Sequence, residues 1–289
     1  MQNKPNLTPV SLFKAAINTY LSNPIILLPL ILLTFIQLLI LELLYFYPRY
    51  PLLIIFKPIV TRIWGEMYLH YPFNFALLPE LFSRLQVIIY VLVGAFLNAV
   101  TVEIIAAVNS DRKITFSSAL RKTLGRYVHI LVYAALSIGS LIGLSKIYGL
   151  LIQRAMKIGS ETGILAAIKN TIIYGAPGAE LLIGIIVTTL LAFTLPLIIV
   201  ERRNIFSALA QNFRYILRSF IFVFLLVLLP TIIYGLILLL RSPFMAPISQ
   251  TIPSFQIFVL ISSILLTIFI DATVLTATTM YYLHIKENK

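Results

Sequence analysis

No cysteine occurs among the 289 residues, which excludes disulfides, thiolate metal sites and thiol nucleophiles, and removes the usual clue to redox compartment. Charge is scarce as well: 11% of the residues are charged against 60% hydrophobic, far from the balance of a soluble domain. The familiar catalytic signatures are missing, with no H-E-x-x-H, no G-x-S-x-G and no phosphate-cradling G-x-x-x-x-G-K-[ST] in the chain. His70, His129 and His284 stand far apart, so neither a metal nor another cofactor is expected. An intramembrane hydrolase without a motif is the one enzymatic alternative to a non-enzymatic protein.

What the chain has is long apolar runs. A hydrocarbon core of about 30 Å is crossed by roughly 20 helical residues, and runs of that length lie near Ile25–Tyr47, Leu85–Val108, Tyr127–Leu151, Leu181–Val200, Phe220–Leu240 and Phe255–Leu283. The ten-residue alternation of a membrane barrel is missing, and lipid offers no partner to a bare backbone group, so the expected fold is an all-α polytopic bundle of about six transmembrane helices in a single membrane domain. The first run follows a polar lead and has no small-residue cleavage pattern behind it, so it reads as a retained span.

The net charge of +12 flanks the apolar runs instead of forming a stripe, which argues for membrane topology and against nucleic acid. Six spans put both termini on one face, termed side A, together with the segments 109–126 and 201–218. Thirteen of the 22 Lys and Arg residues fall there, so the positive-inside rule predicts cytoplasmic termini in a cell membrane.

Three side A segments share a pattern. Thr8-Pro9 offers a helix start, after which Val10, Phe13, Ile17, Tyr20 and Leu21 oppose Lys14, Asn18 and Ser22. Phe116, Leu120 and Leu124 likewise oppose Ser117, Arg121 and Lys122, and Phe206, Leu209, Phe213 and Ile216 oppose Ser207, Gln211, Arg214 and Arg218. Each stretch leads into a span and carries an apolar-x-x-Ala spacing, at Phe13/Ala16, Phe116/Ala119 and Ile205/Ala208. These are expected to be three amphipathic interfacial helices opening three parallel repeats, 8–108, 109–200 and 201–289. On the opposite face, side B, the aromatic and proline-rich loop 48–84 is expected to rest on headgroups or cap the bundle. The second side B loop is expected to hold an amphipathic helix around Leu150–Ile168 and then a turn at residues 174–178.

Ionisable groups inside hydrocarbon are costly, which makes them the first candidates for function. Asp271 falls near the middle of the sixth span, with Thr267, Thr273, Thr276 and Thr278 nearby. It reads as helix glue through threonine hydroxyls or a backbone carbonyl, or as a proton or substrate site where water reaches it. Glu103, near the side A end of the second span and close to Asn98 and Thr101, is expected to form an interfacial salt bridge with Arg126 or His129. Glu42 and Gln37 lie toward side B in the first span. Gly139 and Gly143 permit close helix approach, and Pro196 and Pro230 are expected to kink the fourth and fifth spans.

The stretch Leu195-Pro196-Leu197-Ile198-Ile199-Val200-Glu201, followed by Ser207-Ala208-Leu209 and another span, resembles the membrane domain associated with glycerophosphoryl diester phosphodiesterases and related six-helix prokaryotic inner-membrane proteins, most clearly over residues 190–245. The resemblance implies six helices. It does not imply the hydrolase activity, which in that family resides in a separate soluble domain with no counterpart in these residues.

The expected function is transport or binding of a small or lipidic molecule. The alternative is a scaffold or accessory subunit, with a membrane-protein partner or a second copy of the chain, that binds anionic membrane lipids through Lys14, Arg121, Lys122, Arg126, Arg214 and Arg218. Each such cation near a headgroup contributes about 1 kcal/mol.

Overall fold

The structure is a computed structural model and describes residues 8–157, 163–241 and 252–287. Lys4 and Lys289, counted above for sidedness, lie outside them. The side A helices are α1 (Pro9–Ser22) and α6 (Phe116–Leu124), and a third forms the first half of α11 (Ile205–Thr231). Between them run α2 (Leu28–Tyr45), α3 (Leu52–Ile63), α4 (Phe73–Ile89), α5 (Ala95–Asn109), α7 (Tyr127–Met156), α8 (Gly163–Tyr174), α9 (Ala176–Leu191) and α10 (Thr194–Val200). After α11 come α12 (Gly235–Arg241) and α13 (Phe255–Glu287). No strand occurs among the described residues.

Six helical stretches are long and apolar enough to cross a membrane: Pro24–Tyr45, Phe73–Asn109, Tyr127–Met156, Ala176–Val200, Ile205–Leu238 and Phe255–Glu287. They form two rings. The second, fourth and sixth are 72%, 56% and 44% buried, whereas the first, third and fifth are 39%, 17% and 28% buried. The even-numbered spans therefore form the core, and the odd-numbered ones screen it from lipid with outward leucine, isoleucine and phenylalanine. Gly139 and Gly143, on the least buried span, meet no other part of the described chain, so they mediate no close approach within the bundle.

The three side A helices start with one device. Thr8 accepts a hydrogen bond from the Ser11 amide, Thr115 from the Ser118 amide and Asn204 from the Ser207 amide, the first two as reciprocal capping boxes. Aligned on these caps, Leu12, Ala119 and Ala208 occupy one position, and Ala16, Thr123 and Asn212 the next turn, all of them buried. The apolar-x-x-Ala spacing had put Ala16 level with Ala119; the caps move it one turn on. Ser219, at φ −131°, interrupts α11, separating its interfacial half from the fifth span.

Each of these helices packs on the inner span preceding it in the ring: α6 on α5, the start of α11 on α9 and α10, and α1 on α13. Polar side chains tie two of these contacts directly and brace the first from Tyr127, the opening residue of α7, just past α6. Tyr127 donates to the Leu92 carbonyl at 2.9 Å, Asn212 donates to the Leu190 carbonyl at 2.6 Å, and the Tyr20 hydroxyl lies 3.4 Å from that of Thr273.

Two of these ties sit at breaks in the inner spans. A proline ring clashes with the carbonyl four residues before it, and the fourth span breaks at Ala192–Phe193, the position that Pro196 dictates. Asn212 closes the gap by also accepting the Phe193 amide at 3.0 Å. In the second span a π-helical turn, Tyr90–Gly94, separates α4 from α5, and Tyr127 takes up one of its carbonyls. Gly94 leaves room for the Tyr90 ring, which a Cβ there would meet at 3.1 Å, while Leu33 of the first span would lie at an ordinary contact of 3.6 Å. Pro230 behaves otherwise than expected: α11 continues through it to Thr231 and then tightens into the 3₁₀ turn Ile232–Tyr234.

Side B is more helical than its composition suggested. The second span begins at Phe73, twelve residues before the expected Leu85, because Leu77, Leu78, Leu81 and Phe82 recur at helical spacing and pack with Val60, Tyr47 and Leu44 into a cap. The helix expected over residues 150–168 is instead the end of α7 and, beyond the undescribed 158–162, α8. The expected turn at 174–178 reduces to a single joint at Gly175.

Asn212→Leu is expected to lower the unfolding temperature of the detergent-solubilised protein, because two buried backbone groups lose their partners at about 1–3 kcal/mol each. A thermal melt beside wild type measures it, and an unchanged midpoint would refute the clamp.

Candidate functional site

Asp271 sits halfway along α13, where that inner helix faces α9, the second half of α11 and α7. A cavity of about 520 Å³ opens there, bounded by Glu180, Thr188, Thr231, Tyr234, Thr267 and Asp271 among apolar side chains such as Leu141 and Val227. It extends from the side B end, where Glu180 and Leu238 lie, to the middle of the membrane at Asp271 and Val274. Among the described residues the Asp271 carboxyl has no hydrogen bond or ion pair.

The threonines expected to hold Asp271 are engaged elsewhere. Thr267 donates to the Ser263 carbonyl at 2.8 Å, Thr273 to Phe269 at 2.7 Å and Thr278 to Val274 at 2.7 Å, the back-bonding habit of threonine in helices. The hydroxyl of Thr276 is buried without a partner. Thr231 likewise donates to the Val227 carbonyl at 2.6 Å, and the Tyr234 and Ser263 hydroxyls share a hydrogen bond of 2.9 Å. The glue reading of Asp271 through threonine therefore fails in this structure.

On its other side Asp271 is within electrostatic reach of Tyr90, the first residue of the π turn, which lies beside Asn98 and Tyr133. Asn98 is buried and its amide oxygen has no partner. Of this polar group the sequence exposed Asp271, Asn98, Thr188 and Thr267. It did not expose Tyr90, Tyr133 or Tyr234, because a tyrosine in a span is unremarkable until a helix irregularity turns it inward. Pi turns recur at functional sites, and the one signal available was Gly94 inside an otherwise unbroken run.

Glu103 is elsewhere. It is buried near side A and pairs with Lys122 Nζ at 3.6 Å and Arg202 Nη2 at 3.7 Å. The expected salt bridge forms, but not with Arg126 or His129: α6 ends at Leu124 and swings Lys122 over the end of α5. Arg202 also donates to the Lys122 carbonyl at 2.9 Å. Its backbone adopts φ +56°, a left-handed conformation costing a non-glycine residue on the order of 1 kcal/mol, held by these contacts. Next to it Glu201 accepts from the Tyr282 hydroxyl and, at 2.7 Å, from Arg203, which also reaches the Ser207 hydroxyl at 3.1 Å. The Glu201-Arg202-Arg203 turn thus joins α5, α6, α11 and α13 on side A. Glu42 is exposed in a shallow groove between the first and sixth spans, with Leu38, Tyr45 and Ile257, away from Asp271, and Gln37 is buried. Lys14, Arg121, Arg214 and Arg218 are exposed and Arg126 half-buried. Among the described residues no group of His, Asp or Glu could hold a metal.

Burial of Glu201 opposes its charge, but the hydrogen bonds from Tyr282 and Arg203, with the charges of Arg203 and Lys286, outweigh that and hold the carboxyl below its ordinary value of 4.5. The folded state then binds this proton less readily than the unfolded one. Its stabilisation is present above the ordinary value and is lost as pH falls through the folded one. Melting temperatures measured from about pH 5 down to about pH 3 are expected to fall more steeply for wild type than for Glu201→Gln, and parallel curves would contradict the turn's role. Comparison with protein-family models, with curated proteins and with solved structures gives no match for this chain.

Proposed function

We propose that this multi-pass membrane protein is a non-enzymatic carrier or binding protein that takes up a small molecule from side B into the Asp271 cavity. One observation carries the reading: a carboxyl without a partner, at mid-membrane depth, lines a cavity of about 520 Å³, within the range of small-molecule sites. Intramembrane acids are costly enough that one without a structural partner calls for a ligand. In this reading the side A turn at 201–203 closes the opposite end, the termini are cytoplasmic and the membrane is the cell membrane.

A second reading rests on the outward-facing cations. Lys14 on α1, Arg121 on α6, and Arg214 and Arg218 on α11 all project from the side A ring. They support recruitment of anionic lipid, and with it an accessory role beside a membrane-protein partner or a second copy of the chain. The two readings are compatible, since a carrier with a basic rim would be held at anionic membrane.

In proteoliposomes containing a panel of radiolabelled small solutes and an internal pH dye, wild-type protein is expected to support flux above protein-free vesicles, and Asp271→Asn to abolish it. Flux identical in the two, for every solute and for protons, would overturn the carrier reading. For the rim, replacing Lys14, Arg121, Arg214 and Arg218 together with glutamine is expected to reduce co-purified anionic phospholipid severalfold, with each cation contributing about 1 kcal/mol, as counted by mass spectrometry of the extract. Unchanged lipid content would remove this second reading.

A further inference from the structure

The chemistry of the cavity wall narrows what can enter. Of the lining side chains among the described residues, Asp271 and Glu180 are acids and none is Lys, Arg or His. The hydroxyl protons of Thr231 and Thr267 are already given to the Val227 and Ser263 carbonyls, so their oxygens face the cavity as acceptors. Tyr234 is tied to Ser263. The wall therefore presents a surplus of acceptors and a potential of one sign, while the remaining surface is aliphatic. Tyr90, within electrostatic reach of Asp271 from the second span, and Tyr133 beside Tyr90 bring no positive charge.

From this we propose that the cavity's ligand is a protonated primary or secondary amine with an apolar body. Its ammonium would pair with Asp271 and hydrogen-bond to the Thr231 and Thr267 oxygens, and exposed Glu180, toward the side B end, would attract it inward. The inference rests on the Asp271 reading above and adds the substrate class. It also fixes an exchange. Hydrocarbon tolerates an unpaired carboxylate poorly, so one positive charge at a time sits at Asp271, a proton or an ammonium. When the ammonium arrives, the carboxyl O–H bond breaks, its electron pair stays on the carboxylate oxygen, and the proton leaves to side B water. The ammonium keeps its own protons. A quaternary ammonium supplies the charge without the donors, an alcohol one donor without the charge, and a carboxylate meets repulsion.

The test uses the full chain in neutral-lipid nanodiscs and isothermal titration with four probes that share a phenyl body: benzylammonium, benzyltrimethylammonium, benzyl alcohol and benzoate. Benzylammonium is expected to bind at least about tenfold more tightly than any other, a difference of roughly 1.4 kcal/mol. Repeating the titration in buffers of different ionisation enthalpy should show proton release, and affinity should weaken as pH falls, because protons compete for the same carboxyl. Asp271→Asn should abolish binding and proton release, and Glu180→Gln should slow association while leaving release intact. Equal binding of benzylammonium and benzyl alcohol, both lost in Asp271→Asn, would overturn the amine assignment and leave the cavity reading standing. Benzylammonium binding that is absent, or the same in wild type and Asp271→Asn, would overturn the assignment outright. The comparison among probes on wild-type protein decides the question even where Asp271→Asn does not fold.

Discussion

A backbone group in hydrocarbon must find its partner within the protein, and the architecture of this chain follows from how it meets that demand where its helices break. Pro196 breaks the fourth span at Ala192–Phe193 and Asn212 bonds both sides of the gap. The π turn at Tyr90–Gly94 disturbs the second span and Tyr127 takes the Leu92 carbonyl. Both side chains come from the segment that opens the next span, so the repair of one span is also the joint to its neighbour. Removing a joint therefore unmakes a helix, and the two kinds of stability cannot be separated.

These breaks also explain where polarity collects. An unbroken inner helix would keep its tyrosines staggered around its surface. Tyr90, the first residue of the π turn, lies beside Asn98 and within electrostatic reach of Asp271. The cavity on which Asp271 opens is walled by the third to sixth spans, next to the 3₁₀ turn Ile232–Tyr234 of the fifth. Side A has the opposite character, with Glu103, Lys122, Arg202, Glu201, Arg203 and Tyr282 mutually satisfied. One end of the bundle is closed by paired charge, and the other half holds a carboxyl without a partner among the described residues.

Much of the fold was legible in the sequence. Length and hydropathy place all six spans, and the Thr8 start is readable as a cap because Ser, Thr and Asn compete with the backbone for its own amides, whereas the matching caps at Thr115 and Asn204 emerge only in the structure. The second span's true start was hidden because Pro79 and the aromatics near it resemble a loop, whereas a proline is tolerated once leucines at helical spacing bury the helix around it. Glu103 was recognisable as one half of an ion pair, but its partners depended on how α6 turns at Gly125 and on the left-handed Arg202, neither encoded in periodicity. Asp271 and its depth were visible; its want of a partner was not, because a threonine's choice between a neighbour and its own helix is made by geometry alone.

The packing of α1 against α13 has a temporal side. During synthesis the first helix leaves the ribosome long before its cradle exists, while α6 and the first half of α11 each find theirs already made. Until the sixth span inserts, Leu12, Ala16 and Tyr20 lack the α13 side of their cradle, and only the second span, beside Tyr20, and the fifth, beside Leu12 and Ala16, offer them protein surface. Closure of the ring is then the final event of assembly, so a chain stalled short of that span would be left with its opening segment only half cradled, a difference that a quality-control protease can read.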